Sequence, residues 1–296
     1  MNDLDSQTLS PKELAAVVGV SQSSIKRWVD VGHIAVTRTA GGHRRISRNA
    51  ALRFIRSKRM RVVRPDLLGI PDFANVDRPL ESGVLSGEFL HSLLVAGDTV
   101  QLRRVVTAAF LSGTEAAVLF DGPVADAMAR IGEMWNTDQR GIFIEHGATS
   151  AFIEVIGHLS ALVGVPADDA PFAVGAAPLK DPHILPSQMA STVLLEAGWR
   201  TLNMGPATPP HAIIDACEEH EAELVWLAVK SKLSARDLDT IFEACSTLHE
   251  SGITVVAGGR EVERTAAQWP GSVQQILTMS DLASAARRML AERKEP

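Results

Sequence analysis

Three groups of residues in this 296-residue chain have the types and spacing to bind something. Within residues 177–187, Asp181-Pro182-His183 sets an imidazole two positions after a carboxylate. Imidazole is a good transition-metal ligand, and a carboxylate on its other nitrogen fixes the tautomer and raises its basicity. One histidine cannot build a metal site from protein alone, but it can complete the coordination of a metal carried inside a macrocycle. Further on, Gly258-Gly259 lets the backbone approach a bulky ligand closely. In the middle of the chain, Trp135 is followed after nine residues by Glu145-His146. There Glu145 can accept hydrogen bonds from a ligand hydroxyl while Trp135 covers an apolar or aromatic face. Singly these patterns are common, because most tryptophans are core and most loop histidines and turn glycines serve local structure. The third group is polar and cationic: Gln22, Ser23, Lys26 and Arg27, then Arg38, His43, Arg44 and Arg45. Short polar and basic side chains on one helix face can reach base edges in the major groove, and a glycine-tipped cationic hairpin can lie along the backbone or enter the minor groove.

The elements that must position these groups follow from caps and periodicity. Ser10, Pro11 and Glu13 start a first helix whose apolar face is Leu14, Val17 and Val18, and Ser21 caps a second running through Trp28. Residues 34–38 and 43–46 flank Thr39-Ala40-Gly41-Gly42 as a hairpin, and the spacing predicts a helix over 48–64. Pro65, Pro71 and Pro79 with Gly69, Gly83 and Gly87 mark a linker. Residues 88–165 read as a helix bundle, with Asp98 and Thr114 as caps, Pro123 opening a helix that ends near Trp135, and a long helix to about Val163. The last third alternates strands at 172–177, 200–204, 224–229, 253–257 and 273–277 with helices at 187–197, 210–220, 235–250, 261–268 and 281–293. That alternation predicts a doubly wound, flavodoxin-like parallel five-stranded sheet, with ligands beyond its carboxyl edge. The expected organisation is a winged helix-turn-helix at 1–64, a linker at 65–87, a helix bundle at 88–165 and an α/β domain at 166–296.

Composition limits the function classes. Hydrophobic residues make up 46% and charged residues 22%, enough to bury a core, which excludes a disordered chain. No apolar run reaches the length of a membrane span and the N-terminus has no signal-peptide pattern. Two cysteines, Cys217 and Cys245, suit a reducing cytoplasm and exclude a cysteine metal cluster. The net charge of −6 is split: residues 1–64 hold 13 Lys and Arg against 4 Asp and Glu, and the remainder 16 against 31. A basic head on an acidic body is the footprint of a nucleic-acid-binding module joined to something else. A head of this size implies a dimer or a higher oligomer on double-stranded DNA, because one short helix-turn-helix rarely supplies specific affinity alone.

Over residues 8–60 the chain resembles the MerR family of winged helix-turn-helix proteins, the string Arg38-Thr39-Ala40-Gly41-Gly42-His43-Arg44-Arg45 closely matching its wing. With the Trp-x9-Glu-His spacing, Asp-x-His after the first strand and Gly-Gly after the fourth, nearly the whole chain resembles the CarH/LitR family of light-responsive, adenosylcobalamin-dependent transcriptional repressors. The resemblance implies a cytoplasmic, non-enzymatic regulator that binds an operator as a homo-oligomer, a dimer or a tetramer. It implies that His183 is the lower axial ligand to cobalt, that Trp135 caps the adenosyl group beside Glu145 and His146, and that Gly258 and Gly259 line the channel for the nucleotide tail of cobalamin. Three positions depart from the family pattern. Pro186 stands where the cobalamin motif has glycine, and Ala228-Val229-Lys230 where Ser-x-Leu follows the third strand. Asn136 stands where well-studied relatives have a second, light-exposed histidine ligand. Two other readings stay open: a regulator whose α/β domain binds another ligand or a protein partner, and a corrinoid-dependent enzyme or carrier.

Overall fold

In the computed structural model the described residues are 7–70, 85–134 and 140–293. The chain forms two compact units, residues 1–115 with 122–164, and residues 116–121 with 165–296.

The first unit begins with a short strand β1 (Thr8–Leu9) and helix α1 (Pro11–Val18). Ser10 Oγ accepts from the Glu13 N–H while the Glu13 carboxylate accepts from the Ser10 N–H at 2.7 Å, so the expected capping box is formed. Helix α2 (Gln22–Asp30) is capped by Ser21 and buries Ile25 and Val29. The wing is β2 (Thr37–Arg38) and β3 (Arg44–Ser47), with Gly42 at φ 77° in its turn, a conformation glycine adopts without strain. β1 adds to the other edge of β3 through Leu9 and Ile46, giving an antiparallel sheet ordered β1-β3-β2.

Helix α3 (Arg48–Ser57) stops well short of residue 64. The chain turns at Arg59, at φ 49°, and the N–H groups of Val63 and Arg64 donate to the Val17 carbonyl at 2.6 and 3.2 Å. Those tertiary bonds replace the helical ones that an unbroken periodicity had suggested. The start of the expected linker is also packed: a 3₁₀ turn at Pro65–Leu68 buries Leu68, and Ile70 is buried beyond it. The bundle consists of α4 (Gly87–Ala96), α5 (Thr99–Leu111), α7 (Ala125–Met134) and α8 (Arg140–Val163), packed on one another, with α3 against α5 and α8. Asp98 caps α5 as expected, accepting from the Gln101 N–H at 3.0 Å. Pro123 does not open a helix. It lies inside a π-helical turn, Phe120–Val124, between α6 (Ala116–Leu119) and α7.

The second unit takes the short helix α6 (Ala116–Leu119) together with the C-terminal third. Its sheet is β4 (Phe172–Ala176), β5 (Arg200–Asn203), β6 (Leu224–Ala228), β7 (Thr254–Gly258) and β8 (Val273–Ile276), all parallel, in the order β5-β4-β6-β7-β8. The connecting helices are α9 (Leu185–Ala197), α10 (Pro210–Glu219), α11 (Ala235–Glu250), α12 (Arg260–Arg264) and α13 (Met279–Glu292). The doubly wound five-stranded sheet is therefore as expected. One face carries Val174, Val225, Leu227, Val255 and Ala257 against α10 and α11. The other packs on α9 and α13, with the Trp199 indole N–H donating to the Ala286 carbonyl at 3.2 Å. Chain order reverses between β4 and β6, and in sheets of this kind the ligand crevice opens beyond the carboxyl ends of the strands at such a reversal. Among the described residues no helix is long and apolar enough to cross a membrane.

Candidate functional site

The loops after β4 and β6 meet at that reversal, and Asp181 joins them. It has no exposed surface. One carboxylate oxygen accepts from the His183 N–H at 3.1 Å and lies 2.6 Å from His183 Nδ1. The other accepts from the N–H groups of Lys230 and Ser231 at 2.5 and 2.8 Å. The Ser231 hydroxyl adds a bond at 3.2 Å and stands 3.3 Å from His183 Nδ1. Burial pushes the Asp181 carboxyl up, but the backbone N–H groups of Ser231, His183 and Lys230, with the His183 ring, outweigh it and hold it below the ordinary carboxylate value. An ionised Asp181 accepts a hydrogen bond from Nδ1–H, which leaves Nε2 as the nitrogen for a ligand on a side chain 40% exposed. Among the described residues no three histidine, cysteine or acidic side chains cluster as a metal site, so any metal here brings its other ligands with it.

Ser231 was not singled out in the sequence. It supplies a hydroxyl three residues after Ala228, on the side of the loop that turns back to Asp181. Only the neighbouring positions of β4 and β6 in the sheet bring it there. Pro186 occupies the first turn of α9, where a missing N–H costs nothing, so the helix starts at Leu185, two residues earlier than the sequence suggested. Gly258 ends β7 and Gly259 follows it, but their lack of side chains serves the protein's own backbone. A Cβ on Gly258 would lie 2.7 Å from the Ile276 carbonyl oxygen, and one on Gly259, at φ 113°, 2.4 Å from that of Val229.

On the first unit, Glu145 and His146 are neighbours in α8 and face each other at 3.6 Å, with the His146 side chain 75% exposed. Trp135 and Asn136 lie outside the described residues. In the head, Gln22, Ser23, Lys26 and Arg27 are all exposed on α2, as are Arg38 and His43 on the wing. Arg44 is half-buried and donates to Asp30 at the end of α2 at 2.6 Å, which ties wing to helix. Arg45 stands close enough to Glu13 to help hold that carboxyl down, behind the larger effect of the Ser10 bonds.

Two arginines counted in the basic head are turned to structural work. Arg48 is 3% exposed, with Nε donating to the Leu68 carbonyl at 2.8 Å and Nη1 to that of Ala161 at 3.4 Å. The Arg56 guanidinium lies 3.6 Å over the Phe110 ring and donates to the Phe110 carbonyl at 3.0 Å. Both fasten α3 to the bundle.

Comparison with known families matches residues 8–59 to the helix-turn-helix domain and residues 88–160 to the B12 binding domain. The chain therefore has the domain content of a DNA-binding, B12-binding regulator. Among solved structures it is similar to the monomethylamine corrinoid protein of Methanosarcina barkeri, with 16% identity and a TM-score of 0.53 over 71% of this chain and 99% of that one. It is also similar to a cobalamin-binding protein of Desulfitobacterium hafniense DCB-2, with 18% identity and a TM-score of 0.37 over 69% and 98% of the two chains. No curated protein matches.

Proposed function

We propose that this chain is a MerR-type transcriptional regulator that reads DNA with residues 1–64 and senses a corrinoid, adenosylcobalamin or a close analogue, with residues 88–165 and 166–296. The observation that carries the reading is the Asp181–His183 pair at the chain reversal of a parallel sheet, on a chain that also holds a helix-turn-helix. The donor set fits a corrinoid's cobalt from one side: a single imidazole, its Nδ1 committed to a buried carboxylate and its Nε2 outward. Gly258 and Gly259 add less to the fit, since the space that their missing side chains leave faces the backbone carbonyls of Ile276 and Val229.

A bound adenosylcobalamin supplies a cobalt–carbon bond that visible light breaks. The residues of the chain do the rest. His183 would hold the metal through Nε2, with Asp181 keeping the imidazole oriented. Trp135, Glu145 and His146, which belong to the region that matches the B12 binding domain, would supply contacts to the adenosyl group. Where Asn136 stands in place of a histidine in the sequence, His146 would be the candidate imidazole on that side. Exposed apolar side chains on α8, Ile142 at 53% and Phe143 at 71%, support association through the bundle, so that a change there alters the pairing of heads on a cytoplasmic operator. Gln22, Ser23, Lys26 and Arg27 read base edges, while Arg38, His43 and Arg45 hold the backbone. The helix-turn-helix favours repression or activation of transcription over a carrier role in methyl transfer.

The test is the absorption spectrum of the full chain after incubation with adenosylcobalamin in the dark and removal of free ligand. A retained corrinoid spectrum that is lost or altered in His183→Ala is expected. Unchanged affinity and spectrum in His183→Ala would remove His183 as the metal ligand.

A further inference from the structure

Below the carboxyl ends of β6 and β7, the sheet face that packs on α9 is closed by protein. Ala228 and Gly258 are register partners at those ends, and Trp226 with Val256 is the next pair down on the same face. The Trp226 indole is 2% exposed. It covers its β4 partner Gly175 so tightly that a Cβ there would lie 2.0 Å from the ring. Its Nε1 donates to Ser187 Oγ at 3.0 Å, and that fully buried hydroxyl donates to Asn203 Oδ1 at 2.8 Å. The indole is thus locked between sheet and helix by packing on one side and a hydrogen-bond chain on the other.

Cobalamin is a flat corrin ring with a long nucleotide tail ending in a benzimidazole. A tail descending beside Gly258 would have to enter the space that Trp226 fills, past helix α9, which begins two residues after His183. The ring needs none of that space, because the His183 side chain that would hold it is 40% exposed while Trp226 is buried. The geometry points to an α/β unit that takes a corrinoid by its ring, through His183, and leaves the tail outside. Its ligand class is then a corrinoid with a short tail or none, and Trp226 sets the choice. This rests on the corrinoid reading proposed above.

The experiment titrates the full chain in the dark with adenosylcobalamin and with tail-less adenosylcobinamide, following the visible spectrum. The parent chain should bind the cobinamide at least as tightly as the cobalamin. Trp226→Gly should move the ratio of affinities at least tenfold towards the cobalamin, while Trp226→Phe, which keeps most of the ring, should leave it unmoved. A parent chain that binds adenosylcobalamin tenfold more tightly than adenosylcobinamide overturns the inference and leaves the corrinoid reading standing. Binding of neither ligand by the parent overturns the corrinoid reading and the inference with it. The parent comparison needs no variant, so it decides even if Trp226→Gly does not fold.

Discussion

A carboxylate without exposed surface keeps its charge only where protein donors replace its water, and Asp181 has five: two N–H groups and a hydroxyl from residues 230–231, and the backbone and ring of His183. Asp181→Asn keeps the shape but sets an amide NH₂ against one of these donor groups. It should destabilise the folded chain by about 2–4 kcal/mol in urea unfolding near neutral pH. The pH dependence has a definite sign. The folded carboxyl lies below its ordinary value of 3.8, so its contribution is complete above that value and is lost as pH falls through the lower folded one. The stability gap between parent and variant should therefore shrink when the same unfolding is repeated at about pH 3. A gap that stays constant would mean that the charge of Asp181 is not what holds the two loops. Asp-x-His was legible in the sequence because both residues sit in one short string. Ser231 and Trp226 were not, because only strand pairing across nearly fifty residues sets them beside that string.

Helix ends were the most legible elements, since a cap is a local bond between side chain and backbone: Ser10, Ser21 and Asp98 all cap as their spacing suggests. Contacts between elements were not legible. The end of α3 is set by a carbonyl of α1, and the start of α13 is held by Asp121, which accepts from the N–H groups of Met279 and Ser280 at 2.7 and 2.8 Å from 158 and 159 residues away. The same distinction separates the arginines of the head. Arg44 is bonded to Asp30, so Arg44→Ala should both remove a cation and loosen the wing from α2, weakening binding to most duplexes by a similar factor. Lys26→Ala or Arg27→Ala should instead change the preference among duplex sequences, by about 1–3 kcal/mol at the base pair concerned. Arg56→Ala should leave sequence preference intact and lower the melting temperature, because its guanidinium is spent on the Phe110 ring and carbonyl. Fluorescence anisotropy on a panel of duplexes, with thermal melts of each variant, separates the three. A parent-like melting temperature in Arg56→Ala would refute the structural role given to it.

For the whole molecule, the charge split is a statement about association with DNA, and the structure corrects its size. Of the 13 cations in residues 1–64, Arg48 and Arg56 are fastened to the bundle, and Arg44 and Arg64 are paired with Asp30 and Asp66. Each phosphate neutralised by a cation changes the slope of log affinity against log salt by about −0.9 on duplex DNA, so the remaining cations allow a slope no steeper than about −8 for each bound chain. The acidic remainder, with 31 Asp and Glu against 16 Lys and Arg, repels DNA and keeps contacts to the head. If two or four heads bind together, the slope should scale with the number of chains that light scattering finds in the complex. If the proposed regulation holds, adenosylcobalamin in the dark should change both quantities together and illumination should reverse the change, because on that proposal the ligand acts on how many heads are paired and not on how one head binds. A salt slope fixed at its one-chain value while the assembly grows would mean that the heads of the oligomer do not engage one site. A slope steeper than about −8 per chain would mean that some of the four cations set aside leave their partners to reach DNA, Arg44 and Arg64 from their carboxylates or Arg48 and Arg56 from the bundle, and the slopes of Arg44→Ala and Arg56→Ala would tell which.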